Sequence, residues 1–243
     1  MTGHSKWANI QHRKKLQFAR RGKIFTRLIK EINIASHLEG DDVEKNSRLR
    51  FAIEKAQGVN MPSETIQQAI ASADLEGYLY KDLTYEGFFM GEIAILVQCV
   101  TDNIEKTDAA ISRIFKNFNI SLASAGSVSY MFSELGELCF APGAYVSAIE
   151  NVAIDSDAED VVKQDDGTIE VLTTTNNYTK VLNAMKAADL NPDYAEITMH
   201  ASMEIEINKQ QSIQLLKFIN ALEDFEDTQS VCHNADIPTD AYE

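Results

Sequence analysis

The stretch that decides the fold is Glu159-Asp160-Val161-Val162-Lys163-Gln164-Asp165-Asp166-Gly167-Thr168-Ile169-Glu170-Val171-Leu172-Thr173. Asp166-Gly167 is a strong hairpin signal, because both residue types accept the left-handed backbone of a tight β-turn. It separates Val161-Val162 from an apolar, β-branched run, so the pattern predicts a short strand over 160–163 and another over 168–173. Outward on the N-terminal side, Glu137 to Ala141 reads as a strand and Ala144 to Ile154 as a helix. On the C-terminal side, Tyr178 to Ala188 has helical spacing through Val181, Leu182 and Met185, Asn191-Pro192 turns the chain, and Tyr194 to His200 is a strand. The order is β-α-β-β-α-β, the ferredoxin-like arrangement.

The flanks carry their own pattern. Glu92 to Val100 is β-rich, Glu105 to Phe118 is helical with Ile111, Ile114, Phe115 and Phe118 apolar, and Gly126 to Phe132 reads as a strand. After the central module come a strand over 203–207, a helix with Ile213, Leu216 and Ile219, and a strand over Thr228 to His233. A lone β-α-β unit is too small to bury its own sheet face. The economical reading joins the two flanks into one domain, with the ferredoxin-like module inserted at a surface turn. The rival reading, three consecutive modules, would need linkers, and no Pro-, Gly- or Ser-rich linker is present.

The first third reads as helical. Phe25, Leu28, Ile32 and Ala35 form one apolar stripe, while Arg20, Lys23, Arg27 and Lys30 step by the same intervals on a different face. Leu49, Ala52, Ile53 and Ala56 mark a second helix stopped by Gly58. Pro62-Ser63 opens a third, with Ile66, Ala69, Ile70 and Ala73 inward. The expected fold class is therefore α+β in three domains. These are an N-terminal three-helix bundle over 1–78, a discontinuous α+β domain over 79–133 and 203–243, and an inserted ferredoxin-like domain over 134–202.

Charge is segregated along the chain. The net charge is −15, yet residues 1–30 hold nine Lys or Arg and no Asp or Glu. Residues 1–60 are net +7 and the remaining 183 are net −22. Such asymmetry suggests a basic binding element on an acidic body. The plainer alternative is a solvated polar face with acidity for solubility. No apolar run approaches the ~18 residues of a membrane span, so no membrane partner is expected. Three widely spaced cysteines, Cys99, Cys139 and Cys232, form no C-x-x-C and fit a reducing, cytoplasmic setting.

Signals of catalysis are missing. The chain has no phosphate-cradling glycine motif, no G-x-S-x-G and no metal-ligand histidine spacing. The acidic run from Asp155 to Asp166 fails as a calcium loop, because Asp160 stands where glycine is needed and Asp166 where the bidentate Glu is needed. The expectation is a non-enzymatic protein without cofactor or metal.

What remains is Gly3-His4-Ser5-Lys6-Trp7-Ala8-Asn9-Ile10-Gln11-His12-Arg13-Lys14-Lys15. A flexible basic arm with an aromatic suits a phosphate backbone, with Trp7 or a histidine stacking on an exposed base. Trp7 as an apolar anchor tying the arm to the helical domain is the equal alternative. The candidate nucleic-acid-binding residues are Lys6, Trp7, His12, Arg13, Lys14, Lys15, Arg20, Arg21, Lys23, Arg27 and Lys30, with Arg48, Arg50 and Lys55 widening the footprint.

Here the chain resembles the YebC/PmpR family, which also includes the mitochondrial translational activator of cytochrome c oxidase subunit one. The resemblance rests on G-H-S-K-W-A-N-I at 3–10, A-R-R-G-K-I-F-T-R-L-I-K-E-I at 19–32, N-x-R-L-R-x-A-I at 46–53 and N-M-P at 60–62. It continues with T-D-N at 101–103, G-S-V-x-Y-M-F at 126–132, E-D-V at 159–161, D-D-G-T-I-E-V at 165–171, A-E-I at 195–197 and H-N-A at 233–235. It implies a helical domain followed by an α+β domain carrying a ferredoxin-like insertion. It also implies a regulator of gene expression that binds DNA in transcription. The alternative is an RNA-binding translation factor at the ribosome, with ribosomal RNA, the ribosome or other proteins as partners. After Tyr85-Glu86-Gly87 the family usually has an aromatic and a Gly-Pro-Gly-Gly turn, whereas this chain has Phe88-Phe89-Met90-Gly91-Glu92.

Overall fold

The computed structural model describes residues 6–19, 21–72, 80–143, 145–238 and 241, by backbone alone at 13, 15–19 and 21. The chain divides into two compact units, one built from Tyr78–Ser133 and Met199–Glu243, the other from Lys6–Gly77 and Glu134–Thr198. The architecture is α+β, as expected.

In the second unit, α1 (Lys6–Ala19), α2 (Arg21–Glu39), α3 (Ser47–Gly58) and α4 (Ser63–Ser72) precede the ferredoxin-like elements. Leu28, Ile32 and Ala35 of α2 close against Leu49, Ala52 and Ala56 of α3 and Ile66 and Ala69 of α4, forming a three-helix core. Asn46 starts α3: its Oδ1 accepts from the Leu49 amide at 2.8 Å, and its Nδ2 donates to the carbonyls of Ala35 and Gly40 at 2.8 and 2.7 Å. The first helix is a correction to the sequence reading. From Lys6 onward the expected flexible arm is helical, and its buried residue Ile10 packs outside the three-helix core.

The ferredoxin-like elements are β3 (Phe132–Phe140), α6 (Val146–Asp155), β4 (Asp160–Lys163), β5 (Ile169–Thr174), α7 (Tyr178–Ala187) and β6 (Tyr194–Ala201). They form one sheet in the order β4-β5-β3-β6. Gly167, with φ +86°, makes the predicted hairpin between β4 and β5. Leu138, Phe140, Ile169 and Val171 face α6 and α7, packing on Ile149, Ala153, Val181 and Met185. The helical part of this unit packs on the module as well. Phe51 joins that core, Thr179 Oγ1 donates to Glu54 at 2.5 Å, and the ammonium of Lys55 lies 3.8 Å from Glu134.

The first unit holds β1 (Lys81–Phe89), β2 (Ile93–Thr101), α5 (Ile104–Asn117), β7 (Ile205–Glu206), α8 (Lys209–Glu223), β8 (Thr228–His233) and β9 (Ala235–Asp236). Its main sheet has the order β1-β2-β8, all antiparallel, and β7 pairs with β9 in parallel. Ile93, Ile95, Val97 and Cys99 of β2 face Ile111 and Phe115 of α5 and Leu215, Phe218 and Leu222 of α8. Ala94 and Leu96 on the opposite face pack with Val128 and Phe132. A strand covered on both sides reads as a nearly unbroken apolar run, which is what β2 shows.

Three expectations in this unit are corrected. Gly126 to Met131 is a turn ending in a 3-10 segment at Ser129–Met131, and the strand starts only at Phe132. The buried Glu86 carboxylate takes the amides of Gly126, Val128 and Ser129, so they make no sheet ladder. The strand expected over 203–207 shrinks to Ile205–Glu206. In α8 the inward row is Ser212, Leu215, Phe218, Ile219 and Leu222, while Ile213 is exposed. The Phe88-Phe89 departure is a matter of packing: both lie in β1, and Phe89 stacks with Phe218 at 5.8 Å between ring centroids. Met90 and Gly91 then turn the chain with φ of +54° and +81°.

Candidate nucleic-acid interface

The cations of α2 lie away from its buried stripe. Lys23 is exposed, and Arg27 and Lys30 are half-buried, whereas Leu28, Ile32 and Ala35 are in the core. Lys14 of α1 is half-buried, as is His12. None of His12, Lys23, Arg27 and Lys30 stands alone, since each has an interaction within the chain. Arg13, Lys15 and Arg21 belong to α1 and α2 by backbone, and Arg20 lies outside the described residues. Of the residues expected to widen the footprint, Arg50 sits over the Phe51 ring at 5.4 Å and Lys55 lies between Glu31 and Glu134, at 3.9 and 3.8 Å.

The start of α1 is built differently. The Trp7 amide donates to Asp166 Oδ2 at 2.9 Å, while Asp166 Oδ1 accepts from the Thr168 amide. The turn that makes the β4–β5 hairpin thus also satisfies an amide in the first turn of α1, where backbone N–H groups lack helical partners. Trp7 packs with Ile10, Cys139 and Tyr194, and Ile10 is fully buried there. The expected apolar anchor tied the arm to the helical domain; Trp7 instead packs against Cys139 and Tyr194 of the ferredoxin-like sheet.

Beneath Trp7 lie residues that the sequence reading missed. In the β3–β5 pairing Cys139 stands opposite Glu170 and Glu137 opposite Leu172, so Glu137, Cys139 and Glu170 share the face turned away from α6 and α7. All three are buried, and their ligand-type atoms lie within 4.8 Å of one another. The cation beside them belongs to the chain: the Lys6 ammonium is 3.1 Å from Glu170 Oε1, with the Lys6 side chain 14% and the Glu170 side chain 2% exposed. Gln164 Nε2 donates to Glu170 Oε2 at 2.7 Å, and the Cys139 thiol donates to Glu137 at 3.4 Å. Burial raises the pKa of the Glu170 carboxyl above its ordinary value; Lys6 opposes this and the neighbouring Glu137 reinforces it. The signal available in the sequence was an acid at core positions of two apolar strands.

Among the described residues no helix is long and apolar enough to cross a membrane. Comparison with known proteins covers nearly the whole chain. Residues 5–76 match the model of the TACO1/YebC protein N-terminal domain, and residues 80–235 match that of the TACO1/YebC second and third domain. A Coxiella burnetii protein named a probable transcriptional regulatory protein is 43% identical over 240 residues, 98% of each chain. One of the same name from Paracidovorax citrulli is 43% identical over 237 residues, 97% of this chain and 99% of that one. The crystal structure of a conserved hypothetical protein from Aquifex aeolicus superposes with a TM-score of 0.72 at 32% identity, covering 90% of this chain and 92% of that one. With both family models matched in order along its length, the chain belongs to the TACO1/YebC family.

Proposed function

We propose that this protein is a non-enzymatic, DNA-binding transcriptional regulator that meets the phosphate backbone through the cations of α1 and α2. The observation that carries the reading is the concentration of nine Lys and Arg, with no acid, in residues 1–30 of a chain whose net charge is −15. A row of cations along a helix displaces counterions from a duplex and gives affinity without base reading. The strongly acidic remainder opposes indiscriminate coating of nucleic acid. Relatives at 43% identity are named probable transcriptional regulatory proteins, which favours DNA over other polyanions as the target.

The test is salt-titrated binding of the full chain to duplex DNA, with Arg13, Lys14 and Lys15 replaced by Ala in one variant and Lys23, Arg27 and Lys30 in another. Each released phosphate contact lowers the slope of log K against log salt by about 0.9, so three lost contacts lower it by about 2.7. An unchanged slope in both variants rejects the assignment. Tighter binding of single-stranded or ribosomal RNA than of duplex at equal salt would move the target from DNA to RNA.

A further inference from the structure

We infer that Lys6 is a positioning residue: its ammonium is the internal counter-ion of the buried Glu137–Glu170 pair, and this pair docks α1 on the open face of the ferredoxin-like sheet. The inference deepens the proposed function and rests on it in one respect, that α1 carries cations which meet nucleic acid.

A ferredoxin-like sheet has helices on one face, here α6 and α7. The other face presents Glu137, Cys139 and Glu170, side chains that water would normally reach. Yet Glu137 is 2%, Cys139 0% and Glu170 1% exposed, because α1 lies over them, with Ile10 in contact with Cys139 and Tyr194. Two carboxylates taken out of water without a compensating cation are strongly unfavourable. Lys6 supplies that cation from the first turn of α1, at 3.1 Å from Glu170. One residue on, the Trp7 amide is held by Asp166 at 2.9 Å. The polar contacts fix the start of the helix and its register, while Ile10 and Trp7 supply the apolar contact. The backbone of 13–15 continues the same helix, so the place of that segment is set by the acids beneath the first turn of α1. An ammonium committed to a buried carboxylate is also poorly suited to phosphate, since leaving would strand the acids.

Trp7 is the protein's only tryptophan, so its fluorescence reads docking directly. The full chain is compared with Lys6→Met, which keeps an apolar stem without the charge, with Glu170→Gln, and with the double variant. The measurements are acrylamide quenching of Trp7, amide exchange over residues 7–12, and the salt slope of binding to a 30-base-pair duplex. Lys6→Met is expected to raise the quenching constant about twofold and amide exchange in α1 about tenfold. Adding Glu170→Gln is expected to reverse most of both changes, because the carboxylate that the Lys6 ammonium meets at 3.1 Å is gone and Glu137 no longer faces a second buried acid. Where Lys6→Met does not fold, the double variant decides: recovered folding supports the inference and equal failure overturns it. If Lys6 were instead a phosphate contact, Lys6→Met would lower the salt slope by about 0.9. Trp7 would then stay protected and Glu170→Gln would restore nothing, which overturns the inference. A wild-type chain that does not bind duplex refutes the proposed function, while the fluorescence and exchange results still decide the role of Lys6.

Discussion

Replacing Glu86 with Gln measures how much of the 126–131 turn rests on one carboxylate. Glu86 sits in β1, 4% exposed, and accepts the amides of Gly126 at 2.8 Å, Val128 at 2.6 Å and Ser129 at 3.1 Å. A hydrogen bond to a charged group contributes about 1.5–3 kcal/mol, and an orphaned buried donor costs about 1–3 kcal/mol. The glutamine amide keeps one acceptor oxygen and turns an NH2 toward backbone donors, so at least one amide loses its partner and the others lose the charge. Water reaches Gly126 and Ser129 more easily than the fully buried Val128, which keeps the sum well below three separate losses. The expected destabilisation is therefore about 3 kcal/mol at neutral pH. The pH dependence has a definite sign. Burial by itself raises the Glu86 pKa, but the three amides, with the Ser129 hydroxyl, outweigh it and bring the pKa below the ordinary 4.5. A carboxyl whose pKa is lowered by folding contributes stability that is complete above its unfolded pKa and lost as pH falls through its folded one. Urea unfolding of wild type and Glu86→Gln at neutral pH and at successively lower pH below 4.5 measures both, with amide exchange at Val128 and Ser129 as the local readout. Equal stabilities at neutral pH, or a gap that widens on acidification, would refute the reasoning.

Other substitutions probe other joints. A Cβ added at Gly136 would lie 2.4 Å from both Thr173 Oγ1 and Tyr178 Cδ2, so Gly136→Ala should cost about 1–3 kcal/mol and lower the thermal midpoint by several degrees. Asn46→Ala removes the α3 cap and leaves the Ala35 and Gly40 carbonyls without that donor; a loss of about 2–3 kcal/mol in urea unfolding is expected. Met90 holds φ +54° and is 47% exposed, so Met90→Gly should stabilise the β1–β2 hairpin by about 1 kcal/mol, seen as a higher urea midpoint.

Much of the fold was legible where the deciding interactions are local. Asp166-Gly167 is a strong local turn signal, and the β-branched runs on either side of it pair as β4 and β5. Elements were missed or misplaced where distant residues decide. In Lys81 to Phe89 the apolar Leu83, Tyr85 and Phe89 alternate with Asp82, Thr84 and Glu86, but the charges and the glycine keep the run from standing out as a strand beside the apolar β2. Gly87 nonetheless belongs in β1, because a Cβ there would meet Phe115 Cε1 at 2.7 Å. Ser127 to Phe132 alternates like a strand, but Glu86, forty residues earlier, captures its amides first. Apolar residues of α8 occupy more than one face, so spacing alone left its phase open, and Phe218, flanked by Phe89, Phe115 and Phe118, sets it.

The candidate interface divides along the same line. The opposition of Lys23, Arg27 and Lys30 to Leu28, Ile32 and Ala35 is a local helical property and was readable. The surroundings of Lys6 were not, because Glu137 and Glu170 are more than a hundred residues away and meet it only when the sheet forms. A tally of charge over residues 1–30 counts Lys6 with its neighbours, although its ammonium pairs with a buried carboxylate of the same molecule. The sign of a segment's charge says what kind of partner it suits; how many of its charges reach that partner depends on which acids the fold has already placed beside them. For α1, the acids that β3 and β5 bury under its first turn enter the electrostatic balance before any phosphate does.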